Sequence, residues 1–309
     1  MVMPKTTLKK ICTVVLEYQN PKLTLQTIQS LKKAVLPQGF INKIVVIDNS
    51  PVPDGTLEKY CQDNQDIKLI TSLQNTGFAK GNNQGIKYGL KRGFQYFLLI
   101  NNDVKVHRQF LFYLISGIKA GADMVVPKIY FAKGYEFHQN RYQPDELGKV
   151  IWYAGAEFDW DNVYSKHIGI DQVDTGQFNL SHEIEFANFC CILIKKEVFK
   201  AIGFLDEQYF LYWEDGDFSV RALKAGFKIL FEPRAVIWHK NSSSSGAGSK
   251  LHDYYLTRNR LLFGFKYASF RTKLALIKES FRKLLTGRPG EKQGIIDFYL
   301  HRLGKGRTV

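Results

Sequence analysis

Five short polar segments carry the residue types that do chemistry. Glu17-Tyr18-Gln19-Asn20, Asp48-Asn49-Ser50 and Asn101-Asn102-Asp103 each follow directly on an apolar, strand-like run. Ligands of open parallel α/β sheets bind outside the carboxyl ends of the strands, so three such segments on one rim point to a shared polar site. Any one of them also suits a turn, which favours Asn and Asp for conformational reasons. Asp103 fits a hard divalent cation, which takes oxygen ligands and commonly shares them with substrate phosphates, and Asn101 can add an amide oxygen directly or through water. An Asx turn closing the strand is the competing reading. The densest cluster is Trp213-Glu214-Asp215-Gly216-Asp217, with Arg221 one helical turn beyond Asp217. Acids at a helix N-terminus complement its dipole, and Asp217 with Arg221 makes an i,i+4 pair. Three carboxylates beside aromatics exceed what that purpose needs. A carboxylate next to Trp213 suits a raised pKa and service as a general base. Trp238-His239 ends another apolar run, and His239 gains a ligand role only if it meets Asp103 in space.

Positioning these groups requires an α/β framework. Short β-branched runs alternate with helical patterns over the first ~130 residues, the signature of a parallel sheet. Strands are expected at 12–16, 44–47, 67–70, 96–100 and 124–127, with helices near 78–92 and 108–120. Residues 130–185 hold aromatics, glycines and polar residues with weak periodicity, so short strands and long loops are expected there. A strand over 186–194, a short helix over 196–202, a helix over 215–225 ending at Gly226 and a strand over 228–231 follow. The Ser/Gly-rich stretch 241–249 reads as a flexible loop. Gly77, Gly81 and Gly85 recur every four residues on a helical pattern, unlike the dinucleotide-binding GxGxxG, and no phosphate-loop GxxxxGK[ST] occurs.

The chain has 309 residues, 43 Lys+Arg and 29 Asp+Glu, a formal net charge of +14. Its 45% hydrophobic and 23% charged residues exclude a disordered or fibrous chain. The charge is uneven: residues 240–309 hold 15 basic against 4 acidic residues, leaving 28 against 25 in the first 239. The basic character therefore describes a docking surface in the tail. A nucleic-acid partner is not expected, because the first 239 residues are near neutral and the acidic cluster at 214–217 would repel phosphate unless a metal intervened. Cys12, Cys61, Cys190 and Cys191 form no CxxC pair and read as reduced thiols of a cytosolic protein. No run is long and apolar enough for a membrane-spanning helix, and the opening residues lead into a strand-like segment rather than a signal peptide.

The segments VVLEYQNPKL, VVIDNS, NTGFAKGNNQGI, LLINNDV, AIGFLDEQYFLYWEDGDFSVRALKAGFKILFEPRAVIWH and YYLTRNRLLF stand in the order seen in family 2 glycosyltransferases. The chain resembles the rhamnosyltransferase-like branch of that family over residues 10–265. The resemblance implies a GT-A fold: a mostly parallel central sheet with flanking helices, here with a basic helical C-terminal tail. It implies a catalytic domain over 1–240, with 130–185 as an acceptor-side insertion and 250–309 as the tail. It also implies inverting transfer of a sugar such as rhamnose from a dTDP- or UDP-linked donor, with Mn²⁺ or Mg²⁺ on the diphosphate. Carried over by motif, Glu17, Tyr18, Asp48, Asn75, Gly77, Lys80, Asn83, Asn101, Asn102 and Asp103 belong to the nucleotide-sugar side. Within that set, Asp48 resembles the contact to base or ribose, and Asp103 the last acid of the metal motif. His239 resembles a further metal ligand, and an imidazole shifts the preference toward Mn²⁺. Asp215 resembles the acceptor-deprotonating base with Glu214 beside it, and Trp213 and Asp217 lie on the acceptor side. Two positions depart from the family pattern: Glu17-Tyr18-Gln19 replaces the usual Thr-Tyr-Asn, and Asn101 stands where many members have Asp.

Two other classes compete. A sugar-1-phosphate nucleotidyltransferase shares the α/β site and the ion, but places a glycine-rich basic loop after its first strand, where this chain has Glu17-Tyr18-Gln19-Asn20. A non-enzymatic membrane- or nucleic-acid-binding protein would use the tail alone. In that tail Phe270, Leu274, Ile277, Phe281 and Leu284 form one apolar helical stripe, with Arg271, Lys273, Lys278, Arg282 and Lys283 around it. Such a helix over 250–290 suits peripheral attachment to the cytoplasmic face of a membrane carrying a lipid-linked glycan acceptor, or packing on the catalytic domain or a second subunit.

Overall fold

The apolar run from Ile11 to Val15 is buried on both faces, as a strand in the middle of a parallel sheet must be. The computed structural model describes residues 8–241 and 248–306. The first half runs β1 (Lys9–Glu17), α1 (Pro21–Lys32), β2 (Phe40–Asp48), α2 (Thr56–Asp63), β3 (Ile67–Thr71), α3 (Gly77–Lys91), β4 (Tyr96–Asn101), β5 (Val104–Val106), α4 (Phe110–Lys119) and β6 (Met124–Phe131). The second half follows with β7 (Ile151–Tyr153), β8 (Ala156–Asp159), β9 (Tyr164–His167), β10 (His182–Glu183), β11 (Cys191–Lys195), α5 (Lys196–Ile202), α6 (Glu214–Lys224) and β12 (Ile229–His239). Three helices close the chain: α7 (Lys250–Tyr267), α8 (Phe270–Thr286) and α9 (Pro289–Tyr299).

The central sheet runs in the order β10-β12-β6-β11-β4-β1-β2-β3, with β5 also paired to β12 and β7 to β6. β1, β2, β3 and β4 are mutually parallel, and β12 is parallel to β6. β11 lies antiparallel between β4 and β6. The register aligns Glu17 with Asp48 and Leu16 with Asn101, so the polar segments after β1, β2 and β4 emerge on one rim. β8 and β9 form a separate hairpin.

The four-residue glycine spacing in α3 has a packing cause. A Cβ on Gly81 would lie 2.5 Å from Leu16 Cδ1, and one on Gly85 would lie 2.5 Å from Val14 Cγ1. Helix α3 therefore sits on β1 at backbone distance, which only hydrogen at these positions permits.

The strands β1, β2 and β6 run a few residues beyond the expected limits, and two strands differ more widely from the sequence expectation. The segment Phe186–Cys190 is buried but not a strand: Ala187 N–H donates to Ser219 Oγ (3.1 Å) and Cys190 N–H to Asn188 Oδ1 (2.8 Å). Side chains thus take over the ladder there, and an apolar run alone did not reveal it. The strand expected over 228–231 runs on to His239, through a bulge between Glu232 and Val236 that accommodates Pro233, which has no N–H to give. Residues 242–247, most of the expected Ser/Gly loop, lie outside the described residues.

Replacing Gly85 by Val is expected to destabilise the fold by about 1–3 kcal/mol through overpacking against Val14, read as a lowered midpoint in urea denaturation.

Candidate active site

Where β1 ends, Glu17 is buried and its carboxylate gathers neighbours instead of ligands. It accepts from Asn20 N–H (2.6 Å), from the Thr24 hydroxyl and from Asn102 Nδ2 (3.0 Å). Burial pushes its pKa up, opposed by these hydrogen bonds and assisted by the charge of Asp48. The loops after β1 and β4 are thereby tied together. From α1, the Thr27 hydroxyl reaches the carbonyls of Asn102 (2.7 Å) and Val104 (2.8 Å), fixing the backbone on both sides of Asp103. After β2, Asp48 Oδ1 accepts Ser50 N–H (3.0 Å), and Ser50 Oγ accepts Gln19 N–H (2.9 Å). Asn49 Oδ1 takes the N–H and the hydroxyl of Thr76 (3.0 and 2.7 Å), and its amide reaches Gly77 O (3.2 Å).

β5 pairs with the end of β12, setting His239 opposite Val104. His239 Nε2 stands 3.1 Å from Asp103 Oδ1, both side chains nearly buried, and Trp152 packs edge-on against the imidazole at 4.7 Å. The condition set for His239 by the sequence is met. His239 Nδ1 is buried with no hydrogen-bond partner among the described residues. A carboxylate and an imidazole side by side fit Mn²⁺ or Mg²⁺ in donor type, with Mn²⁺ favoured by the nitrogen. Among the described residues no group of three or more His, Cys, Asp and Glu side chains forms a metal cage. Substrate phosphates and water would complete the coordination, as is common for such ions.

Across from this pair, α6 presents its N-terminus. The loop before it is bent hard: Phe210, Tyr212 and Trp213 all have left-handed backbone, with φ of 65°, 68° and 75°. Each costs roughly 1–2 kcal/mol, so the surroundings must hold it. They do so from α7. Asn259 Nδ2 donates to the carbonyls of Tyr209, Leu211 and Tyr212 at 2.8–2.9 Å. Arg258, fully buried, donates to the carbonyls of Gln208 and Tyr209 and orients Asn259 through its Nε (2.9 Å). Phe210 O accepts Phe78 N–H (2.6 Å), and a Cβ on Gly77 would strike the Phe210 carbonyl at 2.5 Å. Gly77 is also left-handed at φ 81°, so glycine is required there twice over.

The bend aims Glu214 and Asp215 into a cavity of about 1060 Å³ that also takes in Asp103 and His239. Burial pushes the Asp215 carboxyl up to about 6, against hydrogen bonds from the Gly216 and Phe189 backbone that lower it. Burial, reinforced by the charge of Asp215, pushes Glu214 well above the usual carboxylate range, and its Oε2 is buried without a hydrogen-bond partner among the described residues. One group poised near neutrality beside one held toward the neutral form is an acid–base arrangement.

A family model described as "Glycosyl transferase family 2" matches residues 12–203, well over half of the chain. The chain belongs to glycosyl transferase family 2. It is 25% identical over 191 residues to the low-salt glycan biosynthesis hexosyltransferase Agl10 of Haloferax volcanii, covering 61% of this chain and 56% of that protein. It is 23% identical over 234 residues to the dTDP-rhamnosyl transferase RfbF of Shigella flexneri, covering 71% and 69%. A 62-residue segment is 36% identical to the N-acetylglucosaminyl-diphospho-decaprenol L-rhamnosyltransferase of Mycobacterium tuberculosis, 20% of each chain. The chain thus spans little more than half the length of the Haloferax relative. Among solved structures, GalNAc-T7 with UDP, GalNAc and Mn²⁺ aligns with TM-score 0.65 at 15% identity, over 95% of this chain and 55% of that one. The mannosyltransferase PcManGT of Pyrobaculum calidifontis with GDP-Man and Mn²⁺ aligns at 0.52 and 13%, over 96% and 76%. The fold is GT-A.

In this family 2 chain the cavity brings together Tyr18, Asn75, Gly77, Asn101, Asn102, Asp103, Trp213, Glu214, Asp215 and His239 of the sequence-selected residues. Five others do not line it. Glu17 and Asp48 stand behind the wall, holding the loops that form it. Lys80 is exposed on α3 away from the cavity. Asn83 is consumed by Leu205, donating to its carbonyl (2.9 Å) and accepting its N–H (3.1 Å). Asp217 lies on another side of α6 from Asp215 and is fully engaged: Arg221 Nε (2.7 Å), Lys266 Nζ (2.5 Å) and Tyr267 OH (2.6 Å) all donate to it. Burial alone would raise Asp217, but the Arg221 charge and these donors outweigh it and hold it below the usual range. Asp217 ties α6 to α7 and corrects the acceptor-side expectation.

Sequence reasoning missed Trp152 and His167, which line the cavity from the weakly patterned region, and the pair Arg258-Asn259. Burial pushes His167 down to about 4, leaving a neutral ring. For Arg258-Asn259 a signal existed: a polar pair inside YYLTRNRLLF, a segment already singled out. Asn259→Leu strands three carbonyls and is expected to lower stability by about 3 kcal/mol, measured by chemical denaturation.

Proposed function

We propose that this chain is an inverting glycosyltransferase that moves a sugar, rhamnose or similar, from a dTDP- or UDP-linked donor to a hydroxyl of a glycan or lipid-linked acceptor. The observation that carries the reading is the meeting of the Asp103–His239 pair and the Asp215 carboxylate in one cavity roomy enough for an activated monosaccharide. Its relatives named as a dTDP-rhamnosyl transferase and a diphospho-decaprenol rhamnosyltransferase support the donor and acceptor classes.

Tyr18, Asn49 and Asn75 form the polar wall for the nucleoside, with Asp48 holding Ser50 and Gln19 from behind. Asp103 and His239 would hold the divalent ion, whose chemistry there would be that of a Lewis acid offsetting negative charge on the leaving diphosphate. Asp215 accepts the proton of the acceptor hydroxyl as its oxygen bonds to the anomeric carbon and the bond to the diphosphate breaks. Inversion follows from attack on the face opposite the leaving group. Glu214, held toward its neutral form, adds no second negative charge and leaves Asp215 as the base. The aromatic wall of Trp152 and Trp213 keeps water away from the sugar. The protein acts on the cytoplasmic side of a membrane, where nucleotide sugars and lipid-linked acceptors meet.

Asp215→Asn is expected to cut transfer by ~10²–10⁴, the usual worth of base catalysis, while donor binding measured by calorimetry stays within error. A variant that turns over normally removes the base assignment. Because Asp215 must be ionised to act, wild-type kcat/KM falls as pH drops through about 6, and a profile flat across that range contradicts the assignment. Asp103→Ala is expected to abolish the Mn²⁺-dependent part of donor affinity. Equal donor affinity with and without Mn²⁺ in the wild type excludes the ion.

A further inference from the structure

The apolar stripe of α8 points outward. Thr272, Leu276 and Ser280 are the buried side of this helix, whereas Phe270, Leu274, Phe281 and Leu285 keep 77%, 51%, 65% and 81% of their surface in water. At 3.6 residues per turn these four side chains fall within about 60° of arc. Arg271, Lys278 and Arg282, all exposed, occupy roughly the next 40°. The acid of this helix, Glu279, lies toward the body and is taken up by Arg260 (3.0 Å) and Lys283 (3.4 Å). The outward surface of α8 therefore combines contiguous large apolar side chains with positive charge that no acid among the described residues pairs, which marks an interaction face.

Charge decides between occupants. A second copy docking the same face against itself would bring its cations onto those of the first, a juxtaposition that opposes pairing. An anionic bilayer accepts both halves of the pattern: phenylalanine and leucine enter the headgroup boundary while arginine and lysine meet the phosphates. No helix among the described residues is long and apolar enough to cross a membrane, so the contact is one of lying on the surface. On the inward side of the same helix Lys283 lines the cavity. We propose that the outward face of α8 docks on an anionic lipid surface and holds the Lys283 side of the cavity next to the headgroups. This rests on the transferase reading and gives it a direction: a lipid-linked acceptor reaches the cavity along α8.

Flotation of the full chain at low salt with vesicles of phosphatidylglycerol and phosphatidylcholine in equal parts, against phosphatidylcholine alone, tests this. Binding to the anionic vesicles only, released by salt, is expected. Phe270→Glu with Phe281→Glu is expected to weaken it by at least about tenfold. Arg271→Gln, Lys278→Gln and Arg282→Gln together are expected to weaken it by roughly a hundredfold. All five positions are exposed, so melting temperatures should match wild type, and the charge-neutralised variant still decides the matter should the glutamate variant misfold. Failure of the wild type to float, or flotation unchanged in a folded variant, overturns the proposal. So does a wild-type dimer in gel filtration that the glutamate variant dissolves, which would assign the face to a second copy. Stabilisation by UDP and by dTDP, each with Mn²⁺, is measured in parallel: lost flotation with stabilisation by either nucleotide intact sinks only the docking, whereas absent stabilisation by both with flotation intact sinks the transferase reading and leaves the docking standing.

Discussion

The grip of Arg258 and Asn259 on the main chain from Gln208 to Tyr212 is the interaction on which the site depends. Three side-chain-bearing residues in left-handed backbone do not stay there unaided. A buried guanidinium and amide, aimed at the carbonyls of Gln208, Tyr209, Leu211 and Tyr212, make that bend cheaper than its relaxation, because relaxing it would leave charged and polar donors unmatched inside the protein. The bend in turn sets the first residues of α6 facing the rim of the sheet. The third helix-end carboxylate, Asp217, then locks α6 to α7 through Lys266 and Tyr267. The C-terminal region is therefore an integral part of the cavity's construction through the contacts of α7.

On the opposite wall the organising group is Glu17. A carboxylate at the end of a central strand would be expected to face a ligand, yet here it binds the loop after β4 through Asn102 and the start of α1 through Thr24 and Asn20. Its unusual presence in place of a threonine is a matter of loop construction. The neighbouring Tyr18 is left to line the cavity. Gly77 joins the two walls, since its bare Cα is what lets the start of α3 lie against Phe210.

Much of this was legible in the sequence because the central strands are β-branched and buried on both faces, and their polar successors stand at the one rim where such sheets bind ligands. Asp103, Asp215 and His239 were readable by type and by the order of their motifs. What was not legible shares a physical cause. Asp217, Asn83 and Glu17 have the chemistry of site residues, but distant partners complete their engagement: Lys266 and Tyr267 join the readable Arg221 on Asp217, Leu205 takes Asn83, and Asn102 joins Asn20 and Thr24 on Glu17. Trp152 and His167 sit in a stretch of short strands whose pattern carries no period. The extent of β12 was hidden by Pro233, which reads as a strand breaker until the partner strand is seen to tolerate a bulge.

That bulge has a bearing on chemistry. Side chains alternate faces along a strand, so the number of extra residues between Glu232 and Val236 fixes which way everything downstream points. Lengthening or shortening the kink by a single residue would turn His239 through half a revolution, away from Asp103 and toward the far side of the sheet. The spacing of an unreactive proline turn is thus a component of the geometry that brings His239 to Asp103, and loop length there bears on that contact as directly as the histidine itself.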